Sequence, residues 1–112
     1  MSTTFKLQLT PGQRFVAQQL IDAARPANVG QARLYLSLRE LVGDDALDQL
    51  EPAARDALAQ FEDKVDIELP THNHITGLRE ILAGGLAAKL LTTQQAGVVV
   101  KIDEECERVL RE

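Results

Sequence analysis

The chain has 112 residues, of which 45% are hydrophobic and 26% charged, and a formal net charge of −5 at pH 7. This composition is typical of a globular protein and argues against a disordered chain, and the length predicts a single domain over residues 1–112. The acidic balance disfavours nucleic acid as a partner, because binding to phosphates needs a basic surface.

Cysteine usage and hydropathy narrow the class of protein further. A single cysteine, Cys106, excludes an internal disulfide framework and fits a reducing compartment. No apolar run approaches the roughly 18 residues of a membrane helix, and the first residues lack a basic segment followed by an apolar one. We therefore expect a cytoplasmic protein with no membrane contact.

The first half of the chain predicts one strand and two helices. Residues 5–9 alternate apolar and polar, which is typical of a half-buried strand with Lys6 and Gln8 facing solvent. Thr10, Pro11 and Gln13 then form a capping-box pattern that starts a helix running to about Arg25.

A second helix is predicted over residues 31–42, with Asn28 as its cap. Gly43 is expected to stop this helix in the left-handed conformation that glycine adopts freely. A helical bridge should follow over residues 44–63, with Phe61 on its buried face.

The second half of the chain resembles the first. Residues 64–69 alternate again, with Asp66 and Glu68 facing solvent. A helix from about Asn73 should be weakened or broken at Gly84–Gly85. A last helix, with Thr92 and Gln95 as its capping box, should run to near Leu110.

These patterns indicate an internal repeat. Leu7 and Leu9 recur as Ile67 and Leu69 at an offset of 60 residues, and residues 34–40 match residues 98–104 at an offset of 64. We predict an α+β fold, mostly helical, with two pseudo-repeated strand-helix-helix units (4–42 and 64–111) around a small antiparallel sheet. The bridge at 44–63 would join the two units.

A two-stranded sheet would leave both of its outer edges open. Open edges recruit further strands, so either a homodimer through strand edges or capture of another protein is expected. We therefore predict a small non-catalytic protein-interaction module that docks on a larger protein as a regulator, adaptor or inhibitor. The candidate partner-binding residues are Lys6, Gln8, Asp66, Glu68, His72 and His74.

Two alternative functions remain open at this stage. His72 and His74 lie two residues apart and could share a metal with Asp66 or Glu68, although a solvent-exposed loop at a helix start is the simpler explanation. Residues 14–42 could form a helix-turn-helix-like pair for DNA binding, whose second helix would present polar and basic side chains at Gln31, Arg33, Ser37 and Arg39.

Nothing in the sequence assembles an active site, so we expect no enzyme activity and no cofactor. Cys106 stands between Glu105 and Glu107, whose charges would raise the pKa of the thiol, and its spacing from apolar residues predicts a core position. The carboxylates at 103–107 are expected to form a solvated face, and Gly84–Gly85 lacks the spacing of a phosphate-binding loop.

Overall fold

The computed structural model describes residues 4–89 and 91–111, which form an α+β fold that is mostly helical. Strand β1 (Phe5–Leu9) leads into helices α1 (Pro11–Ala23) and α2 (Val29–Val42). The bridge contains helices α3 (Asp45–Asp48) and α4 (Pro52–Ala57) and a 3-10 turn at Leu58–Gln60. Strand β2 (Val65–Leu69) leads into α5 (His72–Ala87) and α6 (Thr93–Arg111). Of these helices, none is long and apolar enough to cross a membrane.

The two strands form one antiparallel sheet. Leu7 lies opposite Ile67 at its centre, with Phe5 opposite Leu69 and Leu9 opposite Val65. The apolar side chains at these positions face the helices, and the polar side chains between them face solvent. Val65 is the exception, since 44% of it remains exposed at the end of the sheet. The predicted alternation is therefore confirmed over most of both strands.

The core lies between the buried face of the sheet and the four long helices. Its fully buried members come from both halves of the chain and include Leu7, Leu38, Leu69, Leu78 and Ile102. Helix α2 packs against β2, whereas α6 packs against β1, so the second helix of each half covers the strand of the other half.

Helix starts follow the capping signals in the sequence. The Thr10 hydroxyl accepts from the Gln13 N–H at 3.2 Å, and the Gln13 side chain accepts from the Thr10 N–H at 2.9 Å. Thr92 and Gln95 repeat this capping box, with 3.2 and 3.1 Å for the same two bonds. Each pair satisfies two of the backbone donors that a helix start leaves without partners.

Gly43 ends α2 for a reason other than the predicted one. Its φ is −79° and its ψ is 170°, which is extended rather than left-handed backbone. A Cβ at this position would lie 2.6 Å from the backbone oxygen of Arg39 and 3.0 Å from the side-chain oxygen of Gln18. The close approach of these groups, and not a positive φ, requires glycine here.

The predicted break at Gly84–Gly85 is wrong, because α5 continues through both residues to Ala87. A Cβ on Gly85 would lie 2.6 Å from Cδ2 of Leu20, a residue of α1, whereas a Cβ on Gly84 would meet nothing within 4 Å. Gly85 therefore lets α1 approach α5 closely, and the packing gained there offsets the low helix propensity of glycine.

The predicted burial of Phe61 is also wrong. The bridge buries Leu58, which is 8% exposed, but Phe61 is 55% exposed. The 3-10 turn ends at Gln60, and Phe61 has extended φ and ψ of −85° and 119°. Its side chain has thus left the helical stripe that carries Leu58 into the core.

Candidate functional site

Four of the six predicted contact residues lie together on the solvent-facing side of the sheet. Lys6 is paired with Glu68 and Gln8 with Asp66 across the two strands, and all four are exposed. The Lys6 Nζ lies 3.7 Å from the Glu68 Oε1. An exposed ion pair of this kind contributes little to stability. Because all four side chains are exposed, this face is accessible to other molecules.

The outer edge of β1 is closed by side chains of α6. The Gln8 N–H donates to the Glu105 Oε1 at 3.2 Å, and the Arg108 guanidinium donates to the Lys6 carbonyl at 3.5 Å. Arg108 and Glu105 are themselves ion-paired, with the Arg108 Nε 3.0 Å from the same carboxylate oxygen. The prediction that both sheet edges are open is therefore wrong for β1.

Electrostatics favour the ionised form of this closing group. The Arg108 guanidinium lowers the pKa of Glu105, and the hydrogen bond from the Gln8 N–H lowers it further, against an opposing effect of burial. Charge-assisted bonds to a carboxylate are stronger than neutral ones. Glu105 is thus held in the form that accepts the edge N–H of β1.

The outer edge of β2 has no such closure. Because the Gln8 N–H points away from β2, Lys6 and Gln8 belong to the pairs that do not exchange backbone hydrogen bonds. Their partners Glu68 and Asp66 must then direct their own N–H and C=O groups away from β1. Within residues 4–89 and 91–111, no hydrogen-bond partner meets these outward groups.

The two edges differ at two pairs of equivalent positions, which lie on α6 in the second half and at or just after the end of α2 in the first. At the offset of 64 residues, Glu105 and Arg108 correspond to Leu41 and Asp44. Leu41 packs against the core, and the Asp44 carboxylate accepts from the Ala46 N–H at 3.0 Å as the cap of α3. Helix α2 therefore packs against β2 without supplying a polar side chain to its edge.

His74 is occupied by contacts within the protein. Its Nδ1 lies 2.6 Å from the Thr71 hydroxyl and its Nε2 lies 2.9 Å from the Ser37 hydroxyl, so it joins the start of α5 to α2. Burial lowers the pKa of His74, which favours a neutral ring. Both ring nitrogens are engaged, and neither is directed towards a ligand.

His72 lies elsewhere on the same helical turn. Its ring stands edge-on to Phe5 at 6.4 Å between centroids. Residues two apart in a helix point in nearly opposite directions, so His72 and His74 do not converge on one point. The described residues contain no group of three or more histidine, cysteine, aspartate or glutamate side chains placed to hold a metal ion.

Cys106 is fully buried in the core. Burial raises the pKa of its thiol to about 12, and the charge of Asp103 adds to the increase. The sequence predicted a core thiol with a raised pKa. The main cause of the raised pKa is burial and not the charge of the neighbouring glutamates. A thiol of this kind is a poor nucleophile at neutral pH.

The carboxylates of α6 are more specifically paired than a solvated face would be. The Arg79 Nε of α5 donates to Asp103 at 2.7 Å, and the Arg79 Nη2 donates to Glu107 at 3.0 Å. Glu105 closes the edge of β1 as described above. Three of these side chains therefore hold α6 against its neighbours.

Of the side chains that the DNA-binding alternative needs on α2, Arg33 is exposed, whereas Ser37 and Arg39 are engaged within the protein. Ser37 faces His74, and the Arg39 Nε lies 2.8 Å from the Asp22 carboxylate. Val29 and Leu36 are 69% and 68% exposed, so the outer surface of α2 also carries two apolar side chains.

Comparison of this chain with protein-family models, with curated proteins and with solved structures finds no match.

Proposed function

We propose that this protein is a non-catalytic interaction module that docks on another protein through the outer edge of β2. It would act as a regulator, adaptor or inhibitor of that partner, in the cytoplasm as the single cysteine suggests. The observation that carries the proposal is the contrast between the sheet edges. Glu105 and Arg108 close β1, whereas the outward backbone groups of Asp66 and Glu68 have no partner among the described residues.

Strand addition is the binding mode that such an edge supports. An extended segment laid along β2 would receive hydrogen bonds from the outward N–H groups and donate to the outward C=O groups, which gives affinity without a deep pocket. Its side chains would alternate between the solvent face and the buried face of the sheet, which gives specificity. Asp66 and Glu68 would flank it on the solvent face, with Lys6 and Gln8 one strand further away.

The proposal is supported by the symmetry between the two halves, which we propose to be a true repeat of residues 4–42 and 64–111. The strand register is symmetric about Leu7 and Ile67, the pair that the offset of 60 residues makes equivalent. Helices α2 and α6 also occupy corresponding places, each against the strand of the other half. If the two halves are a repeat, the closed edge of β1 and the open edge of β2 make them unequal. The protein could then bind a single partner, at β2.

The test is capture of partners by the tagged protein and two variants at one position. Asp66→Pro removes the outward N–H and leaves the pairing with β1 intact, because proline is tolerated on the free side of an edge strand. Asp66→Ala removes the same carboxylate but keeps the N–H. Circular dichroism and thermal unfolding would verify that both variants fold.

We expect at least one protein to be retained by the native chain and by Asp66→Ala and to be lost with Asp66→Pro. Quantitative mass spectrometry of the captured proteins measures this. An identical set of captured proteins with all three chains would show that the edge of β2 is not the docking site.

A further inference from the structure

We infer that the occupant of the β2 edge is an extended segment of another protein in which lysine or arginine alternates with aliphatic residues. The inference rests on the proposed function and specifies the chemistry of the partner. It follows from three features of the edge, namely its charge, its pleat and the like-charge contacts that two copies of β2 would make with each other.

The edge is strongly acidic. Residues 61–68, which are β2 up to Glu68 and the segment before it, contain four carboxylates and one lysine. Glu62, Asp63, Asp66 and Glu68 are exposed, and the Lys6 Nζ lies 3.7 Å from the Glu68 Oε1. A segment that brings positive charge to this edge gains attraction and also speeds the encounter.

The pleat of β2 sets the spacing of that charge. Asp66 and Glu68 point to the solvent face, whereas Ile67 and Leu69 are buried on the helix side. An added strand must therefore place basic residues at every second position to lie beside the carboxylates. The residues between them fall on the side of Ile67 and Leu69, where aliphatic side chains extend the buried layer.

The strand on the other side of β2 matches this pattern in part. Strand β1 sets Lys6 opposite Glu68 and Leu7 opposite Ile67. Glu68 is thus matched by a basic residue and Ile67 by an apolar one, while the neutral Gln8 lies opposite Asp66. A second strand with the same alternation would match them on the open side.

A second copy of β2 fits this edge less well than a basic segment. An antiparallel β2–β2 pairing that sets Asp66 opposite Asp66 or Glu68 of the other copy opposes like charges, and the register that sets Asp66 opposite Lys64 sets Glu68 opposite Glu62. Cβ atoms of opposed residues are about 5 Å apart, and like charges at that distance destabilise a sheet. The charge pattern therefore favours a different chain over a homodimer through β2.

The experiment uses two fluorescein-labelled peptides of equal length, both capped at the ends. One has the sequence Thr-Val-Lys-Val-Lys-Val-Thr, and the other has glutamate in place of both lysines. Fluorescence anisotropy with the full chain measures their affinities, and amide exchange by NMR shows whether the Asp66 and Glu68 N–H groups become protected. Sedimentation of the chain alone measures self-association.

Matched charge variants separate the local effect from the net charge. The double variant D66N/E68Q removes two charges at the edge, and the control E80Q/E104Q removes two exposed charges on α5 and α6. We expect the lysine peptide to bind and to protect both amides, and D66N/E68Q to weaken it about fivefold, as two cross-strand ion pairs would. The control should leave the affinity within a factor of two.

The inference is overturned if the glutamate peptide binds as well as the lysine peptide, or if both double variants weaken binding equally. It is also overturned if neither peptide binds, or if the chain dimerises and Asp66→Pro abolishes the dimer. The proposed function has its own test, since a captured partner that depends on the Asp66 N–H would stand whichever peptide binds.

Discussion

Gly84 and Gly85 are neighbours in α5 with opposite surroundings. We expect Gly84→Ala to stabilise the protein by about 0.5–1 kcal/mol, because the position is helical and a Cβ there meets nothing within 4 Å. Gly85→Ala should destabilise it by about 1–3 kcal/mol, since Leu20 must move away from a Cβ placed 2.6 Å from its Cδ2. Urea unfolding of both variants measures the two effects, and a stabilised Gly85→Ala would contradict the close packing of α1 on α5.

Cys106 gives a second test at the scale of one residue. Burial and a pKa raised to about 12 leave almost no thiolate at pH 7.5, so iodoacetamide should not modify the native protein over hours. Unfolding in urea should expose the thiol and allow complete modification, which intact mass spectrometry detects. Rapid labelling of the native chain would show that the core around α6 opens readily.

The bond from the Gln8 N–H to Glu105 leads to a prediction about strand β1 and helix α6. Glu105→Gln should destabilise the protein by about 1–2 kcal/mol at pH 7, because it weakens the bonds to the Gln8 N–H and to Arg108. Glu104→Gln, the same change at an exposed neighbour, is the control and should have little effect. NMR amide exchange should show faster exchange at Gln8 in the first variant only.

The same closure predicts a dependence on pH. Since folding lowers the pKa of Glu105 below its ordinary value of 4.5, its stabilising effect is present above that value and is lost as the pH falls through the folded pKa. The stability difference between the native chain and Glu105→Gln should therefore shrink below about pH 4.5. A difference that stays constant down to pH 3 would contradict the ion pair.

Most elements can be predicted from the sequence, because their ends carry local signals. The Thr10–Gln13 and Thr92–Gln95 boxes and the Asn28 cap place three helix starts to within two residues. The predicted break at Gly84–Gly85 is wrong because Leu20 of α1, far away in sequence, packs against Gly85, and the predicted burial of Phe61 is wrong because the 3-10 turn ends one residue before it. The contacts of the predicted site residues are not all local either. His74 bonds to Ser37 of α2, which lies 37 residues away in sequence.

At the scale of the whole molecule, the halves depend on each other. Helix α6 packs against β1 and α2 packs against β2, so each half supplies a helix that covers the strand of the other half. We expect fragments 4–43 and 44–111 to lack cooperative thermal unfolding when separate and to regain it when mixed in equal amounts. Circular dichroism of each fragment and of the mixture, compared with the intact chain, measures this. A fragment that unfolds cooperatively alone would show that the units are independent.

The sequence by itself determined the chain order of strands and helices, the alternating faces of both strands and the buried position of Cys106. These properties depend on periodicity and capping, which are local. The tertiary structure alone decided which sheet edge is open. That outcome depends on Glu105 and Arg108, which lie almost a hundred residues from β1 and reach it only because α6 packs there.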